Sequence, residues 1–206
     1  MNGANTKNYT LFLAVIQSKL DKFFEDQKEY IKCHEGCSLC CRHAEFPFTE
    51  VEFDFVLEGF FKLDKKLQME IMEKVEEIIQ EKKKFKKENL DKPFLHDCPF
   101  LVDNKCSVYF NRGLICRTFG LLSYEEDGKK YNVKIPFCAS RGLNYSSVFD
   151  TEKRKISVEK YEKLGNKTPP KEFYMSYKKL IDKTFEKGFN FKFGEVKPLI
   201  DWFENA

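Results

Sequence analysis

Cys33-His34-Glu35-Gly36-Cys37-Ser38-Leu39-Cys40-Cys41 packs four thiols into nine residues. Several thiols converge on one metal only if the backbone turns sharply between them, and gaps of two or three residues permit that. Gly36, just before Cys37, is the residue best suited to a positive φ. The adjacent pair is the unusual part. Neighbouring side chains leave the backbone in different directions, so Cys40 and Cys41 are expected to serve two metals, or one metal and its surroundings. That favours a multinuclear cluster or two close sites. Four more cysteines follow, Cys98, Cys106, Cys116 and Cys138. Eight thiolates complete two four-cysteine sites, or one site with the remainder in support. Thiolates suit zinc and iron–sulfur centres alike.

Outward from this stretch the pattern is mostly helical. Leu13, Ile16, Leu20, Phe23 and Tyr30 form an apolar stripe that predicts a helix over 8–31, delivering the chain to Cys33. Pro47 marks a loop. Thr49 with Glu52 three residues on is a capping box, and Phe53, Val56, Leu57, Phe60 and Phe61 follow at helical spacing. Leu67, Ile71, Val75, Ile78 and Ile79 predict a helix over 64–89. The lysines at its end (82, 83, 84, 86 and 87) read as a solvated face that offsets the helix dipole. Residues 91–120 look irregular. Runs 121–124 and 131–135 flank Glu125, Glu126 and the Asp127-Gly128 turn signal, a candidate β-hairpin with ordinary solvated acids at its tip. Thr168-Pro169 starts a helix with the stripe Phe173, Tyr177, Leu180, Ile181 and Phe185, stopped by Gly188. Leu199, Trp202 and Phe203 suggest a last short helix. The expectation is a mainly α fold (α+β) with irregular cysteine-rich loops and a small β-hairpin: one domain over 1–206, a cysteine-cluster metal-binding core over 31–141 and a helical extension over 150–206.

Composition narrows the function classes. The chain has 206 residues, 42% of them hydrophobic, with 22 Phe, which is ample for a core. The net charge of +3 makes no case for nucleic acid. No leader pattern and no run of about 20 apolar residues is present, so no membrane role is expected. A cytoplasmic setting keeps thiols reduced, and clustered cysteines there read as metal ligands before disulfides. His34, His43 and His96 each lie within two residues of a cysteine, but eight thiols suffice without them. Of five arginines among 36 basic residues, Arg42, Arg112, Arg117 and Arg141 lie near cysteines. Their guanidinium groups are placed to hydrogen-bond cluster sulfurs or to hold an anion beside them, or else to brace loop carbonyls. No acid/base or nucleophile constellation stands out besides the thiols. Tyr109 and Tyr124 flank the cysteine blocks as packing residues.

Taken together, the first block, Cys98-Pro-Phe-Leu, Cys106-Ser-Val-Tyr, Arg112-Gly-Leu-Ile-Cys116-Arg117-Thr-Phe-Gly and Cys138 resemble the YkgJ-type cysteine-cluster family, described as a zinc- or iron-chelating domain with a CxxCxxCC motif. The resemblance spans about residues 31–141. Flagellin lysine N-methylases carry a related cysteine domain, for which an iron–sulfur cluster is implied. The resemblance therefore points to an iron–sulfur centre, with zinc in a structural or interaction module as the alternative. Cluster-dependent methyl transfer to a protein lysine is a further alternative, although no G-x-G-x-x-G loop is present. The implied partners are the metal or cluster and a protein partner or substrate. One departure stands out: the family has Pro after the arginine where this chain has Gly113, so a looser turn is expected there.

Overall fold

The computed structural model describes the chain except residues 1, 2, 44, 89–91, 128, 129, 166, 167 and 206; side chains of 125–127, 130–132 and 205 are also outside the description. Helix α1 (Gly3–Asp26) starts earlier than the apolar stripe suggests and stops five residues sooner than expected. The reason for its stop is tertiary. Buried Gln27 accepts from Lys171 N–H and donates to the Pro169 carbonyl, and Tyr30 donates to the Thr168 carbonyl. These bonds hold 27–30 as a turn against a distant segment.

The first cysteine block follows, ending in a 3-10 turn at Cys40–Arg42. Strand β1 (Pro47–Thr49) leads into α2 (Glu50–Phe60), where Thr49 and Glu52 form both halves of the capping box. Helix α3 (Lys65–Glu88) buries Ile71, Val75 and Ile78; its expected end at Asn89 lies outside the described residues. Within the stretch read as irregular, β2 (Leu101–Val102) and β3 (Lys105–Cys106) form a tight hairpin. Asp103 and Asn104 both hold positive φ, as a two-residue hairpin turn requires.

Helix α4 (Leu114–Thr118) carries Cys116. Strands β4 (Ser123–Asp127) and β5 (Lys130–Lys134) make the expected hairpin; Gly128 of the turn signal, and the side chains of Glu125, Glu126 and Asp127, lie outside the description. A further pair, β6 (Phe149–Asp150) and β7 (Lys155–Ile156), precedes α5 (Val158–Lys163).

The helix expected from Thr168 to Gly188 is instead extended chain followed by α6 (Tyr177–Leu180) and α7 (Lys183–Phe189). Phe173 N–H bonds the Leu122 carbonyl at 2.8 Å. That bond holds the segment beside β4, so tertiary pairing overrides helical periodicity. Strand β8 (Val196–Pro198) pairs antiparallel with β1, and a 3-10 helix (Leu199–Asn205) closes the described chain. The fold is mainly α with small antiparallel strand pairs. No helix is long and apolar enough to cross a membrane, among the described residues.

Two of the three buried apolar clusters among the described residues are built largely from aromatic rings. In one, Tyr9, Phe12, Ile16 and Leu20 of α1 meet Phe55, Leu114, Phe173, Phe191 and Phe193. In the other, Phe53, Val56 and Phe60 of α2 meet Ile71, Val75, Phe94, Phe100 and Leu199, with Cys98, Cys106 and Cys116 at its edge. A buried ring such as Phe12 stabilises by roughly 2–3 kcal/mol. The end of α3 is less solvated than the sequence suggested. Lys82 is nearly buried between Glu45 at 3.0 Å and Asp201 at 2.6 Å, which pins the 3-10 helix to α3.

Candidate metal centre

Short-range turns shape the first cysteine block. Cys37 N–H bonds the His34 carbonyl at 3.0 Å around Gly36, whose φ is +87°, and Cys41 N–H bonds the Ser38 carbonyl at 2.9 Å. The remaining thiols are brought in by tertiary contacts. Cys98 N–H bonds the Cys41 carbonyl at 2.7 Å. Cys106 lies in β3 opposite Leu101, and Cys116 is the third residue of α4. Cys138 is buried in a 3-10 turn that Gly142 ends in the left-handed region.

All eight cysteines are free thiols. Cys40 and Cys41 do not diverge as their adjacency suggested; their sulfurs meet at 3.9 Å. Two thiolates on one tetrahedral ion, at about 2.3 Å each, stand about 3.8 Å apart, so this pair is spaced as two ligands of a single metal.

Electrostatics tie the other thiols to the same place. The neighbouring Cys41 sulfur, then burial, pushes the Cys40 thiol far up. Burial, reinforced by Cys116 and Cys106, raises Cys98. Burial, then Cys106 and Cys40, raises Cys116. Burial raises Cys106, with Cys40 adding to it. Burial and Cys33 push Cys138 up to about 11. Cys33 reaches solvent, yet the protein around its sulfur still raises it, and Cys37 and Cys40 add to the effect. Cys40 thus repels charge on Cys33, Cys98, Cys106, Cys116 and Cys138. Such a set holds its protons until a cation replaces them.

The donor chemistry fits a thiophilic metal. Among the described residues, no group of three or more His, Cys, Asp or Glu side chains lies close enough together to hold a metal ion.

The arginines divide. Arg112 opposes the rise of Cys33, Cys106 and Cys116, its guanidinium lies 3.9 Å over the Tyr109 ring, and its buried Nε has no hydrogen-bond partner. Arg117 also opposes the rise of Cys106, but it is spent on the Arg112 and Phe110 carbonyls and on Gln17. Arg42 turns to Asp97 and Asn104. Arg141 is exposed, with no side-chain hydrogen bond among the described residues. Of the histidines, His34 Nδ1 faces the Lys32 carbonyl, His43 packs edge-on against Phe137, and buried His96 Nδ1 faces the Asp97 carbonyl while its Nε2 has no hydrogen-bond partner.

Two residues that sequence reasoning missed support the site. Glu52, read only as a cap, is wholly buried. It accepts from Thr49 N–H and Oγ1, from Tyr177 Oη at 2.9 Å and from Leu114 N–H at 2.7 Å, two residues before Cys116. Burial pushes its carboxyl up, and these donors pull against that. Asn144 donates to Cys33 Sγ at 3.1 Å. Nothing in its sequence neighbourhood flags it.

The turn at Gly113 is not loose. Its φ of −67° is one any residue adopts. A side chain is crowded out, because a Cβ would meet the Phe48 ring at 2.6 Å and Glu52 Oε1 at 3.0 Å and the ring would have to shift.

Neither the search of curated proteins nor that of solved structures found a match. The family model CxxCxxCC, described as a putative zinc- or iron-chelating domain, matches residues 32–139, more than half of this chain, and the protein belongs to that family.

Proposed function

We propose that the protein holds an iron–sulfur centre on cysteine thiolates drawn from Cys33, Cys37, Cys40, Cys41, Cys98, Cys106, Cys116 and Cys138. The observation that carries this reading is the position of Cys40, 3.9 Å from Cys41 and within electrostatic reach of five thiols contributed by separate segments. Eight thiols exceed what one tetrahedral ion takes, and a [2Fe–2S] centre carries two thiolates on an iron, which suits the close pair. Arg112 offers positive charge beside a site of net negative charge. Free thiols throughout suit a reducing, cytoplasmic setting. Residues 1–206 act as one domain on this reading, since Tyr177, Phe191 and Phe193 of the C-terminal part complete the Glu52 network and the α1 core.

A second reading rests on the same pair. The 3.9 Å pair equally suits a single zinc ion, which would make the centre a folding element of an interaction module. Anaerobic purification with an absorption spectrum and iron, sulfide and zinc analysis on one sample decides between them. Brown protein with matching iron and sulfide is the expected result. Colourless protein with stoichiometric zinc and no iron would overturn it in favour of the second reading.

A further inference from the structure

Asn144 lies beyond the family-matched segment, yet its side chain reaches the thiol set. It is wholly buried. Its Oδ1 accepts from Lys32 N–H at 2.7 Å, and its Nδ2 donates to the Gly120 carbonyl at 2.9 Å and to Cys33 Sγ at 3.1 Å. The amide cannot be flipped, because a backbone N–H only donates and a carbonyl only accepts. Both Nδ2 hydrogens therefore have fixed targets, and one of them is sulfur. Gly120 makes the room: its φ is +88°, and a Cβ there would stand 2.9 Å from Nδ2 and 3.7 Å from the Cys33 sulfur. Backbone conformation and space both call for glycine at that position.

We infer that Asn144 is a positioning residue of the metal centre: its amide N–H aims the Cys33 sulfur and takes up part of the thiolate's charge, with Gly120 kept bare to admit it. The inference rests on Cys33 being a ligand, as proposed above. An N–H bond to a charged acceptor is stronger than one to a neutral one, so the contact favours the thiolate over the thiol. Donors of this kind orient metal ligands, and their loss lowers metal affinity by about 10- to 100-fold. A purely structural Asn144 would instead serve only to tie residues 32 and 120 together.

The test uses the full-length, metal-loaded protein. Where the native metal is iron, the thiolate-to-metal charge-transfer band is read directly; where it is zinc, cobalt(II) is loaded as the coloured probe. Asn144→Asp keeps the side-chain volume and the acceptor for Lys32 while removing the donor to the Gly120 carbonyl and the donor to sulfur. Without that donor the sulfur electrons lie higher. The band should therefore move to longer wavelength, and chelator competition should show at least a roughly tenfold loss of affinity. Asn144→Ala, which removes the donor without adding a charge, should move both readouts in the same direction, and it replaces Asn144→Asp if that variant does not fold. An unmoved band overturns the inference whatever the affinity, because a backbone tie alone leaves the sulfur's electrons untouched. Wild-type protein that binds no iron, zinc or cobalt would overturn the metal reading, and this inference with it.

Discussion

Helix α4 separates two polar clusters that differ in kind. At its first residue, Leu114 N–H closes the Glu52 network, in which each oxygen of a buried carboxylate meets protein donors. Two residues on, Cys116 faces a set of thiols that raise one another's affinity for protons. One cluster is satisfied by the chain itself. The other brings thiols near one another without partners for their charge, and on the proposed reading it becomes favourable when a cation replaces its protons. The satisfied cluster braces the open one: Glu52 fixes the start of the helix that presents Cys116, and Tyr177 links that point to the C-terminal segment.

The largest expected effect comes from removing the open cluster's centre. Cys40→Ser, or Cys37→Ser with Cys116→Ser, should strip the metal and lower the melting temperature sharply, because metal-binding free energy is folding free energy here. Full metal content in the Cys37/Cys116 double variant would remove them from the ligand set.

Glu52→Leu attacks the satisfied cluster and leaves Thr49 N–H, Leu114 N–H and Tyr177 Oη unpaired. A loss of at least about 3 kcal/mol in urea unfolding is expected, together with weaker metal retention through displacement of α4. Unchanged metal affinity in a destabilised variant would show that the two clusters are independent.

Gly113→Ala should cost about 1–3 kcal/mol by overpacking against Phe48. Phe48→Leu in the same chain should relieve part of that cost, which a thermal melt of the four variants in the cycle would show.

The smallest effect is a pH slope in the metal-free protein. Burial and neighbouring sulfurs make Cys33, Cys40, Cys98, Cys106, Cys116 and Cys138 hold their protons above the ordinary value of 9.0, Cys138 up to about 11. The native state therefore holds more protons than the unfolded state at alkaline pH, and stability falls as pH rises through that window. Metal loading should abolish the slope; a metal-free protein with stability flat from pH 9 to pH 11 would contradict it.

Local signals were legible in the sequence. The Thr49/Glu52 capping box formed as read, Ile71, Val75 and Ile78 of the α3 stripe are buried, β4 and β5 pair as expected, and the cysteine blocks pointed to a metal-chelating domain that the family match bears out. Each of these is set by residues within a few positions of one another, so spacing alone encodes it. The Asp103-Asn104 turn was equally local and was passed over within a stretch read as irregular.

Other features could only be decided by tertiary contacts. The helix expected from Thr168 became extended chain because Phe173 pairs with Leu122. Helix α1 ends early because Gln27 and Tyr30 bond to residues 168–171. Cys40 and Cys41 converge rather than diverge, and Asn144 reaches Cys33 across 111 positions of sequence. The types and local spacing of the chemical groups were determined by the sequence alone. Which groups meet was decided by the fold, because a hydrogen bond or a repulsion between thiols depends on distance in space, which residue spacing constrains only within a turn or two.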